Sequence, residues 1–294
     1  MSAASNNGGE RSGRPSAERR LTRRFYKTVT VADDSPTSAA GVPPTPNPSP
    51  RRVEYAPSAR VEDAPSARVE DAPSARWGGG YRVLLDGKPV RTPAKALLAL
   101  PTRALAVAVA GEWAAQQEHV DPATMPLTRL ANSAIDGVQG REAEVRADIA
   151  RYAASDLLCY RASAPEGLAR RQAEMWDPVL GWARDALGAR FEVAEGLMPL
   201  AQPEAATSAI AVALMGFGPF GVTAVHVMTT LTGSALLALA HARGRLTAEQ
   251  AWTAAHVDED WQIDKWGEDA EAAQRRQRRW CEMQAASRML ALLG

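Results

Sequence analysis

The chain has 294 residues, enough for one or two domains with a hydrophobic core. It carries 34 Lys and Arg against 34 Asp and Glu, so the formal net charge is zero. This balance excludes the strongly basic surface that is typical of nucleic-acid-binding proteins. The two cysteines, Cys159 and Cys281, form no CxxC pair and belong to no Cys/His cluster at zinc-ligand spacing, a usage that fits a reducing compartment.

The first 20 residues are predicted to be a disordered tail. They contain several arginines but no apolar segment follows them, which excludes a secretory signal peptide. Two acids, Glu10 and Glu18, interrupt the arginines and make the segment a poor mitochondrial presequence. We therefore predict a bacterial cytoplasmic protein, with the mitochondrial matrix as the alternative.

Residues 21–101 are predicted to form a small antiparallel β-rich domain. Asp86-Gly87 is a strong hairpin signal, because both positions tolerate positive φ. Four segments around it are predicted to be strands from their β-forming residues or their place after the hairpin turn: residues 24–31, 81–85, 88–92 and 96–100.

A low-complexity insertion interrupts this domain at about 34–76. Within it, Arg-Val-Glu-Asp/Tyr-Ala-Pro-Ser-Ala recurs three times at a period of eight residues, starting at Arg52. The repeat is too short to build a solenoid, and the proline in every copy disfavours both helix and sheet. We predict that the insertion is disordered.

Residues 102–294 are predicted to form a larger all-helical domain, which makes the fold class α+β. Asp177-Pro178 has the pattern of a helix start, with the Asp as cap and the Pro in the first turn. Gly188 is predicted to end that helix, and residues 191–193 are predicted to form a short strand.

The apolar stretch at 205–243 could be mistaken for a membrane span. Its second half is near the length of a bilayer-spanning helix, but its many Thr, Ser, Gly and Ala residues make it only mildly hydrophobic. We predict two buried helices joined by the Gly-Phe-Gly-Pro turn at 216–219, and no stable membrane insertion.

A further helix is predicted to begin at Thr247, where Thr-Ala-Glu-Gln has the spacing of a capping box. If that helix is continuous, one apolar stripe surrounds Glu259: Trp252, Ala255, Ile263 and Trp266. A carboxylate is costly to bury unless something pairs with it. Glu259 is therefore predicted either to meet a partner inside the fold or to lie at a surface for a ligand or another protein.

Two groups of residues suggest other functions. A metal-dependent enzyme could use His256, Asp258, Glu259 and Asp260, since a histidine with three acids can bind a hard metal or transfer protons. Consecutive acids on a helix point in different directions, however. The last helix, at 268–293, has an arginine cluster that would suit a binding module for another partner, although a solvated face is its ordinary role: Arg275, Arg276, Arg278 and Arg279. The sequence has no phosphate-binding loop or nucleophile elbow, and we predict no catalytic residue, metal or cofactor.

Several tryptophans and polar residues near the predicted helix surfaces belong to motifs that resemble a known family. The motifs follow in order over residues 24–267, apart from the insertion: Arg24-Phe-Tyr-Lys27; Leu85-Asp-Gly-Lys-Pro89 with Thr92-Pro93; Leu100-Pro-Thr102; Glu112-Trp113 with Gln116; Met125-Pro-Leu-Thr128 with Asp136; Asp156-Leu-Leu-Cys-Tyr-Arg161; Gln172 with Trp176-Asp-Pro178; and Asp258-Glu259, Trp261-Gln262 and Trp266-Gly267. In these motifs the chain resembles the assembly chaperones that hold the unassembled alpha subunit of the F-type ATP synthase in mitochondria and alphaproteobacteria.

The resemblance implies a β-rich N-terminal domain, a larger helical C-terminal domain, no enzymatic activity, and the alpha subunit as partner until it pairs with beta. Together with the position of Glu259, it leads us to predict partner-binding residues: Glu259, Asp260, Trp261, Gln262, Trp266 and Trp113. Trp113 has a competing role as a core residue that fixes the first long helix. No feature of the sequence favours an oligomer, so a monomer is predicted.

Overall fold

The computed structural model describes residues 21–33, 80–196 and 198–294. The predicted disordered tail at 1–20 and the predicted insertion at 34–76 lie outside these ranges. Within them, a small antiparallel sheet near the N-terminus precedes a larger helical part, so the predicted α+β class is confirmed.

The strands are short. Tyr81–Leu85 (β3) is the central strand of a four-stranded antiparallel sheet, and its register places Val31 opposite Val83. Two further pairs, one antiparallel and one parallel, lie outside this sheet. In chain order the strands are Thr22–Arg23 (β1), Val29–Asp33 (β2), Tyr81–Leu85 (β3), Lys88–Pro89 (β4), Ala99–Leu100 (β5), His119–Val120 (β6), Tyr160–Arg161 (β7) and Ala194–Glu195 (β8).

The Asp86-Gly87 turn joins β3 to β4 as predicted, with positive φ at both residues. The Asp86 carboxylate also accepts hydrogen bonds from the backbone amides of Lys27 and Thr28 and from the Thr28 hydroxyl. These bonds hold the pKa of Asp86 below its usual value. Residues 24–28 of the predicted strand at 24–31 lie outside β2: the Lys27 and Thr28 amides bind this carboxylate, and the Arg24 amide binds the Glu118 carbonyl.

Ten α-helices make up most of the described chain: Arg103–Ala114 (α1), Pro126–Ser133 (α2), Glu142–Ala153 (α3), Glu166–Leu187 (α4), Glu204–Leu214 (α5), Pro219–Thr232 (α6), Ala235–Ala242 (α7), Ala248–Ala255 (α8), Val257–Trp266 (α9) and Ala270–Leu293 (α10). A π-helical turn at Ala134–Val138 continues α2, and short 3-10 turns lie at Pro122–Thr124 and Leu157–Cys159.

The sheet and the helices share one continuous hydrophobic core. Val83 and Leu85 of β3 are buried where the sheet packs on α1, whose Leu105 and Val109 are also buried. α6 is largely buried and packs against α2, α3, α7 and α10. α10 contacts α1, α2, α6 and α8, so the last helix of the chain packs against the first helix.

Three predicted elements differ from the structure. Asp177-Pro178 does not start a helix, because α4 runs through Pro178 while the buried Trp176 and Val179 hold this turn in the core. Gly188 does end α4, with a φ of 70°. The short strand predicted at 191–193 is wrong; the strand is β8, which pairs in parallel with β7.

The stretch at 205–243 contains three helices rather than the predicted two. Gly233 ends α6 in the left-handed region with a φ of 68°, and the Ser234 hydroxyl then caps α7 by accepting the Leu237 amide at 3.0 Å. The second break has only a weak signal in the sequence, one glycine followed by one serine. No helix of the described ranges is long and apolar enough to cross a membrane.

Candidate functional site

Many polar residues of the motifs that carry the family resemblance form hydrogen bonds inside the fold. The Glu112 carboxylate at the end of α1 accepts the amides of Leu127 and Thr128 at 2.8 and 2.7 Å, so it caps the first turn of α2. An anion at a helix N-terminus is favoured by both the free amides and the helix dipole. Gln116, which is 5 % exposed, bonds the Thr124 hydroxyl and the Asp121 amide.

A second set of buried groups connects α4 to α8 and α9. The Gln172 side chain is 1 % exposed and donates to the Asp258 carboxylate at 2.6 Å, while its oxygen accepts the Ala162 amide. The Trp176 indole donates to the Ala254 carbonyl at 2.7 Å. Both motif residues are therefore structural, and the surface position that the sequence suggested for them is wrong.

The helix predicted from Thr247 begins with the expected capping box but is broken at His256. This residue leaves the helical region, with φ −114° and ψ 21°, and its ring stacks on Trp252 with 4.0 Å between ring centroids. The ring nitrogen Nδ1 lies 2.7 Å from the Trp252 carbonyl, and the Trp176 indole binds the neighbouring Ala254 carbonyl. In a continuous helix these two carbonyls would accept backbone amides four residues later. Here they bond side chains instead, and the Trp176 indole comes from a distant part of the chain, so the break depends on tertiary packing.

The break divides the predicted apolar stripe between two helices. Trp252 is buried on α8, whereas Val257 is the buried residue of α9. Glu259 and Ile263 are half-buried, and Trp266 is 79 % exposed. The carboxylate is therefore not enclosed by a continuous apolar stripe, as the sequence pattern suggested; it lies at the edge of a short, largely accessible helix.

We call the predicted contact residues on this helix the α9 surface: Glu259, Asp260, Trp261, Gln262 and Trp266. Asp260 pairs with Arg276 of α10 at 2.5 Å. Glu259 lies 3.9 Å from the His256 ring and has a side chain that is 39 % exposed. Gln262 and Trp266 are exposed. Of the five, Glu259, Gln262 and Trp266 offer the most accessible side chains, and Asp260 is engaged within the fold.

The protonated form of His256 is disfavoured. Burial lowers its pKa and the Arg276 and Arg279 charges act in the same direction, while the Trp252 carbonyl and Glu259 oppose them. The His256 ring at 3.9 Å is therefore a weak ionic partner for the Glu259 carboxylate, because only a protonated ring carries charge. The Glu259 charge also acts on Arg276, and its side chain stays 39 % exposed to a group outside the described chain.

Trp113 is not part of the α9 surface. It lies on α1, where its ring meets Tyr26 edge to face at 5.8 Å and its carbonyl accepts the Tyr26 hydroxyl at 2.7 Å. α1 packs against β2, β3, α2 and α10, whereas α9 packs against α4. The structure thus places Trp113 in the role of a packing residue that fixes α1 to the sheet.

Trp261 is set against α4 by a glycine, which leads to a testable prediction. A Cβ added at Gly167 would lie 2.6 Å from Cη2 of Trp261. Alanine ordinarily stabilises a helix relative to glycine, but here the indole must move, and forced overpacking costs roughly 1–3 kcal/mol. We expect Gly167→Ala to lower the free energy of unfolding, measured in urea, and to change the Trp261 environment seen by fluorescence.

Gly181→Ala is the matched control, because Gly181 lies on the same helix and a Cβ there meets nothing within 4 Å. It should raise stability by about 0.5–1 kcal/mol. If both alanines are stabilising, the contact between Trp261 and α4 is not as close as described.

The group proposed for metal or acid–base chemistry does not converge. Asp258 bonds Gln172, Asp260 bonds Arg276, and Glu259 lies half-buried 3.9 Å from the His256 ring. Among the residues that the structure describes, no three His, Cys, Asp or Glu side chains are grouped to hold a metal.

The arginines of α10 are also engaged within the described chain. Arg276 binds Asp260, and the other three bind a carboxylate, an amide oxygen and a backbone carbonyl. A partner surface built mainly on this cluster would have to break these bonds, so the observations give it no support over an ordinary solvated face.

An accessible helix that carries an exposed tryptophan and a partly exposed carboxylate has features of a surface that binds another protein. Comparison with known proteins identifies the family. The family profile described as ATP12 chaperone protein matches residues 66–184. The chain is also similar to the crystal structure of Atp12 from Paracoccus denitrificans, with 36 % identity over 93 % of this chain and 99 % of that one and a TM-score of 0.73.

A mutant of the same P. denitrificans protein matches equally well. A putative chaperone from Agrobacterium tumefaciens is 52 % identical over 73 % of this chain and 81 % of its own, with a TM-score of 0.71. The chain belongs to the ATP12 chaperone family, and the resemblance noted in the sequence is confirmed. This membership supports a chaperone role in assembly of the ATP synthase.

Proposed function

We propose that the protein holds the unassembled alpha subunit of the F-type ATP synthase until that subunit pairs with beta. Such a subunit exposes apolar surface intended for its partner, and surfaces of this kind aggregate. Membership of the ATP12 chaperone family supports the proposal. The role requires protein binding rather than catalysis, and we propose no enzymatic activity.

The observation that carries the assignment of the contact region is the α9 surface. Trp266 is 79 % exposed although it is one of the largest apolar side chains, and burial of such a residue is a strong source of binding energy. Glu259 lies seven residues earlier, about two turns along the same helix. Trp266 would therefore bury against apolar surface of the client while Glu259 pairs with a basic group.

Only part of the predicted contact set keeps this role in the proposal. Glu259, Gln262 and Trp266 would contact the client directly, whereas Asp260 and Trp261 would hold α9 in place through Arg276 and Gly167. Trp113 would act in packing of α1. Because the beta subunit needs the same apolar surface of the client, it would displace the chaperone by competition.

The remaining expectations also stand as proposals. We propose a monomer in the bacterial cytoplasm, with the mitochondrial matrix as the alternative compartment. We also propose that residues 21–101 and 102–294 act as two domains, although both contribute to one continuous core in the described residues.

The proposal is tested by co-expressing this chain with the alpha subunit of its own ATP synthase and separating the products by size-exclusion chromatography. We expect soluble alpha to elute in one peak with the chaperone. Addition of beta should release alpha from the chaperone, so that the shared peak disappears. Aggregation of alpha with no shared peak would rule the function out, provided that the chain itself elutes as a folded protein.

Replacing Glu259 by Lys tests the contact region. We expect the shared peak to be lost, because a repulsive charge replaces an attractive one, while the circular dichroism spectrum and melting temperature stay near those of the original chain. Glu174→Lys makes the same charge change at an exposed position of α4 and should leave the complex intact. Unfolding of the Glu259→Lys protein would show that Glu259 is structural and that the site assignment is wrong.

A further inference from the structure

The two edges of the four-stranded sheet are built differently. On one side of β3 lie β4 and β5, which have two residues each, and β4 consists of Lys88 and Pro89. Very short strands, lysine and proline are features that keep a sheet edge from pairing with another chain. On the other side lies β2, with five residues, of which the first four carry no charge and none is proline. That side of the sheet lacks these protective features.

The hydrogen-bond pattern shows which backbone groups of β2 face outward. β2 pairs with β3 in antiparallel register, and the Thr28 carbonyl just before it accepts the Asp86 amide at 3.0 Å. Bonded and non-bonded residues alternate along an antiparallel ladder. Thr30 therefore bonds β3, whereas Val29 and Val31 point their amides and carbonyls away from it.

We call these outward groups the β2 edge: the amides and carbonyls of Val29 and Val31. Among the residues that the structure describes, no other backbone group bonds any of the four. Each amide and carbonyl is a strong hydrogen-bonding group that a folded chain ordinarily pairs. Groups spaced by two residues along an extended strand match the backbone of a second strand. The β2 edge is therefore complementary to a further β-strand.

The side chains beside the β2 edge indicate which kind of strand would fit. Val31 lies opposite the buried Val83. Like Val29, it packs against the main core but stays only half-buried, so the core is incompletely covered at this edge. Thr30 points to the opposite face and is exposed. Cross-strand neighbours share a face of the sheet, so a matching strand would alternate apolar and polar residues.

We propose that the β2 edge pairs with an extended segment of the unassembled alpha subunit, in which apolar and polar residues alternate. The proposal rests on the proposed function, since it gives the same client a second contact that is formed by main-chain hydrogen bonds. Incompletely assembled proteins expose unpaired strand edges as well as apolar surface, and both promote aggregation. Addition of a client strand to β2 would cover an open edge on each protein.

Two other occupants suit the β2 edge less well. Residues 34–79 follow β2 directly, but each of their eight-residue repeats contains a proline, which cannot donate to a ladder. A second copy of the chain would pair over a strand of five residues, far less than the roughly 1,000 Å² that a stable interface needs. The alpha subunit is the occupant for which the α9 surface supplies additional contact area.

Amide hydrogen exchange of the full-length chain, followed by NMR, tests the pairing. In the free chain the Val29 and Val31 amides should exchange faster than the Thr30 amide, which bonds β3. In the complex with alpha we expect exchange at both valines to slow by about tenfold or more. A shared chromatographic peak with unchanged exchange at the valines would overturn this contact and leave the proposed function standing. Absence of a shared peak would reject the proposed function, and this contact with it.

The free chain also distinguishes the other occupants. Slow exchange at Val29 and Val31 without alpha would mean that the β2 edge is already paired, which would overturn the proposal. Protection that increases with protein concentration would identify a second copy as the occupant. Protection that is independent of concentration would identify residues of the same chain.

Val31→Pro and Val31→Ala are a matched pair of variants for the binding measurement. Both remove the valine side chain, but only proline also removes the outward N–H and places its ring at the edge. Proline is tolerated in an edge strand where the N–H faces away from the ladder. We expect Val31→Pro to raise the dissociation constant for alpha about tenfold more than Val31→Ala does. Equal dissociation constants would overturn the proposal, and if the proline variant does not fold, exchange in the original chain decides.

Discussion

Truncation of Trp176 to Ala is expected to lower the free energy of unfolding by about 3–5 kcal/mol, the range for large aromatic residues in a core. The side chain is 1 % exposed and belongs to the main hydrophobic cluster. Arg161 also lies over its ring at 5.2 Å. Urea denaturation followed by circular dichroism measures the loss, which is a large fraction of the roughly 5–15 kcal/mol that stabilises an ordinary domain.

Trp176→Phe keeps the prediction testable if the alanine variant does not fold. Phenylalanine preserves most of the apolar contact but removes the indole N–H that binds the Ala254 carbonyl. Leaving a buried carbonyl without its donor costs about 1–3 kcal/mol. Because this carbonyl lies just before the break at His256, amide exchange in α8 and α9 should accelerate more than in α1. An unchanged exchange rate there would show that the bond does not stabilise the break.

The parts of the fold that the sequence could predict are those with strong local signals. The hairpin at Asp86-Gly87, the capping box at Thr247 and the end of α4 at Gly188 all lie where expected, because each depends on residues that are neighbours in the chain. The α+β class followed from the same local patterns together with the family resemblance.

The parts that could not be predicted depend on contacts between distant segments. The break at His256 requires Trp176, which lies 78 positions away from the carbonyl that it binds. The continuation of α4 through Pro178 requires a buried face that outweighs the local helix-start signal of Asp177-Pro178. As a result the apolar stripe that drew attention to Glu259 does not exist, and the role of Glu259 in partner binding stays a prediction; the structure adds its partial exposure beside His256.

Asp156 was noted in the sequence only as part of a motif, yet it is the most enclosed carboxylate described. It is 0 % exposed and accepts the amides of Leu158 and Leu236, each at 3.1 Å. The Ser234 hydroxyl also bonds it, so one side chain ties the 3-10 turn at Leu157–Cys159 to the start of α7. Burial nonetheless dominates and raises its pKa to about 6.

The raised pKa predicts an unusual pH dependence of stability. Between pH 4 and 6 the folded chain holds a proton on Asp156 that the unfolded chain has released, so this residue stabilises the fold at low pH and that contribution is lost as the pH rises through 6. From pH 4.5 to pH 7 the loss is about 2 kcal/mol. Other groups of the chain also titrate between pH 4.5 and pH 7. The Asp156→Asn variant keeps these groups but lacks the Asp156 carboxyl, so it is the control for their contribution.

The quantity to compare is therefore the difference in unfolding free energy between pH 4.5 and pH 7, taken for both proteins by urea denaturation. The original chain should gain about 2 kcal/mol more than the Asp156→Asn variant on acidification. The variant is expected to be less stable at both pH values, because its amide N–H₂ faces backbone donors that the carboxylate accepted. A pH dependence identical in the two proteins would mean that the bonds from α7 offset the desolvation of Asp156 completely and that its pKa is not raised.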